Sequence, residues 1–103
     1  MSNVVGMRLR QARLAADLSQ ERLGVLAGIE EASASARMNR YERGTRAPSV
    51  ELVKRFAAVL QLPLTYFYAE AEDEAMLVCH FARMSAEERG RLLKGVQNSV
   101  SLP

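Results

Sequence analysis

Apolar residues recur at helical spacing along nearly the whole chain, and no stretch alternates as a half-buried strand would. Val4, Met7, Leu9 and Leu14, with Arg8, Arg10 and Arg13 between them, predict a first helix from about Val4 to Ala16 with Asn3 as its cap. Ser19 reads as the N-cap of a short second helix that buries Leu23, Leu26 and Ala27 and stops at Gly28. A third runs from Glu31 or Ala32 to Arg43 and ends at Gly44. Pro48-Ser49 opens a fourth, whose Val50, Val53, Phe56, Ala57 and Leu60 form an apolar stripe before Pro63 stops it. Thr65 to Tyr68 then predicts one short turn, and Ala71 to Arg83 a helix carrying Ala75, Met76, Val78, Cys79 and Phe81. In the last helix Ser85 and Glu88 have the spacing of a capping box, and Leu92, Leu93 and Val96 share one face. Residues 98–103 are expected to fray. The expected fold class is all-α.

With 103 residues, 49% of them hydrophobic, the chain suffices for one core and not for two, so 1–103 is read as a single domain. No repeat or low-complexity linker divides it, but its character changes near Pro63. Residues 1–63 carry ten Arg or Lys against six Asp or Glu, whereas residues 64–103 carry four against six. A basic front with a mildly acidic tail implies that only the front meets a polyanion.

The positive charge of the front is patterned. Arg37, Arg40, Arg43 and Arg46 follow one another at three-residue intervals, the first three on the predicted third helix. If Met38 and Tyr41 face the core, steps of about 100° put Ser33, Ala36, Arg37 and Arg40 on the opposite side, with Asn39 and Arg43 at its edges. Small Ser33, Ser35 and Ala36 let the backbone approach a groove, and the arginines then reach guanine edges or phosphates. A solvated charged face explains the same pattern without a ligand.

Enzymatic readings find little support, and no enzyme is expected. His80 is the only histidine and its neighbour Cys79 the only cysteine, with side chains about 100° apart on a helix. Cys79 excludes an internal disulfide and reads as a small apolar residue in a reduced setting. Glu70, Glu72, Asp73 and Glu74 lack the spacing of a calcium loop and suit a helix start. No glycine motif cradles a phosphate, so no cofactor is implied. Without a long apolar run, a cytoplasmic protein with no membrane partner is expected.

Arg13, Leu18-Ser19-Gln20, Ala27-Gly28 and Glu42-Arg43-Gly44-Thr45-Arg46-Ala47-Pro48-Ser49 together resemble the phage-repressor, or Cro-like (XRE-type), helix-turn-helix family over residues 5–68. The resemblance implies a compact helix-turn-helix bundle of about five helices over residues 4–63. One or two C-terminal dimerisation helices would follow within residues 64–103. Between Gly28 and Glu42 the chain has about four residues more than the family's commonest spacing. Because Ala32 to Ala36 suit a helix, a longer third helix is expected rather than a longer turn. The stretch from Ala27 to Gly44 is similar to that of restriction-modification controller proteins, small dimeric regulators.

The resemblance implies double-stranded operator or promoter DNA as partner. Ser33, Ser35, Ala36, Arg37, Asn39 and Arg40 are the candidate base readers, Asn39 suiting either adenine or a phosphate. Gln20, Arg43, Thr45 and Arg46 are the candidate phosphate contacts, Gln20 being alternatively an exposed helix-start residue. Arg13 and Glu42 are expected to form a partly buried ion pair. A homodimer on a palindrome is expected, joined through Leu64, Tyr66, Phe67, Tyr68, Met76, Leu77, Phe81 and Leu92, unless these residues complete the monomer core. An activator would also touch RNA polymerase, and no residue singles itself out for that contact. A prophage-type repressor, an autoregulating antitoxin that neutralises a toxin, and a protein-interaction module remain as other readings.

Overall fold

The computed structural model describes residues 3–103, and its regular elements are all helical. They are α1 (Val4–Ala15), α2 (Gln20–Leu26), α3 (Glu31–Arg43), α4 (Val50–Leu60), a 3₁₀ turn (Leu64–Tyr68), α5 (Glu72–Arg83) and α6 (Ala86–Gln97).

Local chemistry sets most boundaries. The hydroxyl oxygens of Ser19 and Ser49 accept from the N–H groups of Arg22 and Leu52, at 3.0 and 3.1 Å, and so begin α2 and α4. Ser85 and Glu88 form the reciprocal capping box that opens α6. At the end of α3, Gly44 takes the left-handed conformation with φ of 79°, which costs glycine no clash.

The core is made by α1 to α4 and the 3₁₀ turn, with Leu9, Leu23, Ala34, Met38, Val53, Phe56 and Phe67 fully enclosed. Gly24 lets α2 and α3 approach closely: a Cβ there would lie 3.0 Å from that of Ala34. Val53, Phe56 and Ala57 of α4 are buried as predicted, but Leu52 is buried where Val50 is expected, and Val50 lies exposed.

The first helix departs further from its predicted stripe. Met7 and Leu14 are exposed, while Gly6, Arg8, Leu9, Ala12 and Arg13 turn inward against α3 and the 3₁₀ turn. Arg8, 1% exposed, is buried because the strand of chain entering α5 offers it a set of acceptors. Its Nε donates to the Ala69 carbonyl at 2.9 Å, and Nη2 reaches the carbonyls of Glu70 and Ala71 at 3.3 Å. Nη1 meets Gln11 Oε1 at 3.0 Å and the Glu72 carboxylate at 2.8 Å. The Tyr66 hydroxyl closes the network by donating to Gln11 Oε1 at 2.7 Å, and burial pushes its pKa up.

Two aromatic residues expected at a dimer interface are corrected by this packing. Tyr66 and Phe67 are buried within the single chain, stacked edge to face at 5.1 Å, because α1 and α4 already cover them. Tyr68, Met76, Leu77 and Leu92 are exposed, and Leu64 and Phe81 half-buried. In α5 only Ala75 is buried, and α6 buries no residue. Arg89 ties the two together by donating to the carbonyls of Phe81 and Ala82 at 3.0 and 2.9 Å. The molecule is consequently long, 51 × 30 × 21 Å.

The Arg8 network has a pH signature. Hydrogen bonds from Arg8 and Gln11 hold the Glu72 carboxyl below its ordinary value of 4.5. A lowered carboxyl pKa adds stability that is present above the unfolded value and lost as pH falls through the folded one. Glu72→Gln should therefore lower the melting temperature at neutral pH and flatten its loss below pH 4.5, so that the variant and wild type converge in acid. Glu88, lowered by its capping bonds, retains its own share of that acid slope. Arg8→Ala should cost about 3 kcal/mol or more at neutral pH, since it strands buried acceptors. A melting temperature of Arg8→Ala equal to wild type would show that the network adds nothing.

Candidate functional site

α2 and α3 are joined by Ala27 to Glu30, and the four extra residues expected in this region are absorbed into α3 rather than into the turn. The 13 residues of α3 make a rod about 20 Å long. Its inner side is Ala34, Met38, Tyr41 and Glu42. Ser35, Ala36, Asn39, Arg40 and Arg43 are exposed on its outer side, and Ser33 and Arg37 are half-buried at the border.

The rod is fastened from inside by charge. Arg13 grips Glu42 with two bonds, Nε to Oε2 at 2.6 Å and Nη2 to Oε1 at 3.0 Å, with side-chain exposures of 11% and 2%. The third arm of Arg13, Nη1, donates to the Leu18 carbonyl at 2.9 Å, so the same guanidinium also holds the chain that leads into α2. Asn3 Nδ2 donates to the Glu42 carbonyl at 3.2 Å and brings the start of α1 to the end of α3. Such a planar fork satisfies both carboxylate oxygens and fixes direction as well as distance.

Gln20 is also drawn into this knot. Its Nε2 donates to Glu42 Oε1 at 3.3 Å, so the amide expected on a phosphate is turned inward and half-buried. Thr45 donates from its hydroxyl and its N–H to the Arg40 carbonyl, at 3.3 and 3.1 Å, which folds the loop back over the end of α3.

Outside, the charge is unbalanced. Among the described residues the ion pairs are Arg8–Glu72, Arg13–Glu42, Lys54–Glu51 and Arg91–Glu87, so Arg37, Arg40, Arg43 and Arg46 face no carboxylate. Arg37, Arg40 and Arg46 line a cleft of about 200 Å³ with Tyr41 at its base. Arg37 does not reach straight out: Nη2 donates to the Tyr41 hydroxyl at 2.7 Å, and the guanidinium lies 5.7 Å from the ring centre. Tyr41 thus serves the cleft as well as the core, and its spacing of four from Arg37 on one helix is the sequence signal for that second contact. Nothing in the sequence set Arg8 apart from Arg10, which is exposed.

Residues 4–65 match the family described as a helix-turn-helix domain. Two curated relatives, described as uncharacterized HTH-type transcriptional regulators of Sinorhizobium medicae and Rhizobium meliloti, are each 30% identical over 70 residues. That alignment covers 68% of this chain and 48% of theirs, so the chain spans about half the length of these relatives. The crystal structure of transcriptional regulator BswR is similar at a TM-score of 0.81 and 38% identity, covering 90% of this chain and 92% of that one.

Removing Glu42 leaves a buried guanidinium without its partner. Glu42→Ala should cost about 3–5 kcal/mol, a drop of about 10 °C or more in melting temperature. Glu51→Ala, which breaks an exposed pair, should change nothing measurable in the same experiment. Equal melting curves for the two variants would remove the ion pair from the supports of α3.

Proposed function

This chain belongs to the phage-repressor-like (XRE-type) helix-turn-helix family, and from that premise we propose that it is a sequence-specific DNA-binding transcriptional regulator. The observation that carries the reading is the row of four arginines without carboxylate partners, three of them on a helix whose inner side is locked by a buried ion pair. A rigid rod with small residues and cations outward suits the major groove of duplex DNA. The similar proteins, all described as transcriptional regulators, favour the same class.

In this reading Ser33, Ser35, Ala36, Asn39 and Arg40 face base edges, and Arg37 reads a base from the border of the same face. Arg43, Thr45 and Arg46 grip phosphates beyond the end of α3. Gln20 is assigned to the ion pair, to which its amide is already bound. The scheme needs neither a catalytic group nor a cofactor.

The narrower proposal is a homodimer on a palindromic operator. One α3 spans only a few base pairs, and two related by a two-fold axis reach useful specificity. Leu77, Phe81, Leu92, Leu93 and Val96 line an apolar groove of about 520 Å³ between α5 and α6. Since α6 contributes nothing to the core of its own chain, a second copy is the occupant that this reading assigns to the groove. The restriction-modification controller is the narrowest form of the proposal and rests on the Ala27 to Gly44 stretch. A nuclease and methyltransferase pair encoded beside it is the observation that tests this subtype.

The first experiment is selection of bound duplexes from a random DNA pool at near-physiological salt. A palindrome should emerge; absence of any enriched sequence would overturn the regulator reading. On the recovered duplex, Arg40→Ala should lose ~1–3 kcal/mol of discrimination against single-base changes. Arg46→Ala should weaken all duplexes alike and lower the salt slope by about 0.9. An unchanged slope would take Arg46 off the phosphate. Leu92→Asp should convert a dimer to a monomer in light scattering and weaken operator binding with it. A monomeric wild-type protein at micromolar concentration would count against the dimer.

A further inference from the structure

Tyr41 is 6% exposed, and its ring meets Phe56 edge-on at 6.4 Å. A phenylalanine would fill that place equally well. Packing therefore leaves the hydroxyl unexplained, and the hydroxyl is the group that touches Arg37.

Two contacts converge on that arginine from one residue. The 2.7 Å hydrogen bond fixes one end of the guanidinium, and the Tyr41 ring, its centre 5.7 Å from the guanidinium carbon, attracts the charge. Arg40 and Arg43, on the same helix, are exposed and enter no ion pair among the described residues. Among the described residues Arg37 is thus the one cation of the α3 stripe whose guanidinium has a side-chain partner before any ligand arrives, and that partner is itself rooted in the core.

We propose that the Tyr41 hydroxyl is a positioning group for DNA recognition: it holds the Arg37 guanidinium in its reading pose in the free protein. The inference rests on Arg37 acting as a base reader. An arginine has several rotatable bonds, and freezing them on binding weakens a complex. Pre-ordering removes that cost for this one side chain, an advantage of about two- to tenfold in affinity. The advantage is confined to the sequence that Arg37 reads, because the contact adds no charge and touches no phosphate.

The test compares wild type, Tyr41→Phe, Arg37→Ala and the double variant on the selected duplex and on a non-specific duplex of equal length. Tyr41→Phe should bind the selected duplex about two- to tenfold more weakly, with unchanged non-specific affinity and unchanged salt slope. In the Arg37→Ala background the same change should have no effect. Wild-type affinity in Tyr41→Phe beside a weakened Arg37→Ala would overturn the inference and leave Arg37 as a reader. Equal losses with and without Arg37 would overturn it as well, marking a packing effect. No loss in Arg37→Ala would overturn both the inference and the base-reading role on which it rests. A second measurement needs neither DNA nor a variant: nitrogen relaxation of the Arg37 side-chain Nε–H in the free protein should show it more restrained than that of Arg40. Equal mobility of the two would overturn the inference whatever the DNA affinities are.

Discussion

The Arg13–Glu42 fork governs where α3 lies, and every outward-facing group of the site inherits its place from it. Two charges removed from water are costly unless each polar atom finds a partner. Here Glu42 takes two bonds from Arg13 and one from Gln20, while the remaining Arg13 arm holds the Leu18 carbonyl. An apolar pair of equal volume would fill the space without fixing a direction. A bidentate fork tolerates little rotation. Three elements, α1, the entry to α2 and the end of α3, therefore meet at one carboxylate.

That arrangement separates rigidity from charge. The inward cation is neutralised, and the outward ones are not. Cations packed so closely repel one another, and in water the cost is low only because they are solvated. The exposed part of α3 consequently gives little to the stability of the fold. Its energetic support comes from Ala34, Met38 and Tyr41 beneath it. The acids of the tail have a different local explanation: Glu72, Asp73 and Glu74 occupy the first turn of α5, at the positive end of the helix dipole.

What could be read from residues alone divides along a physical line. Caps and stops are local, so Ser19, Ser49, Ser85 with Glu88, and Gly44 marked helix ends that the structure places within a residue or two. The added residues of α3 were legible because Glu31 to Ala36 contain no helix breaker. Burial is not local. Met7 and Leu14 are apolar and exposed, and Arg8 is charged and enclosed, because its acceptors come from carbonyls some sixty residues later. An aromatic run such as Tyr66 to Tyr68 fits a core or an interface equally, and the covering helices divided it between inside and outside. In the site, the arginine row was visible from its spacing, whereas the turn of Gln20 toward Glu42 and of Arg37 toward Tyr41 depends on rotamers that spacing does not specify.

Arg8 bears on how the chain can be divided. The helix-turn-helix match ends at residue 65, yet the carbonyls that satisfy Arg8 belong to Ala69, Glu70 and Ala71. A fragment cut at the family boundary would keep the guanidinium and lose most of its acceptors, leaving a charge facing a hole. The recognisable module and the smallest self-sufficient piece are thus different stretches of the chain. Transplanting the module onto another scaffold requires either carrying the segment through Glu72 along with it or exchanging Arg8 for an apolar residue.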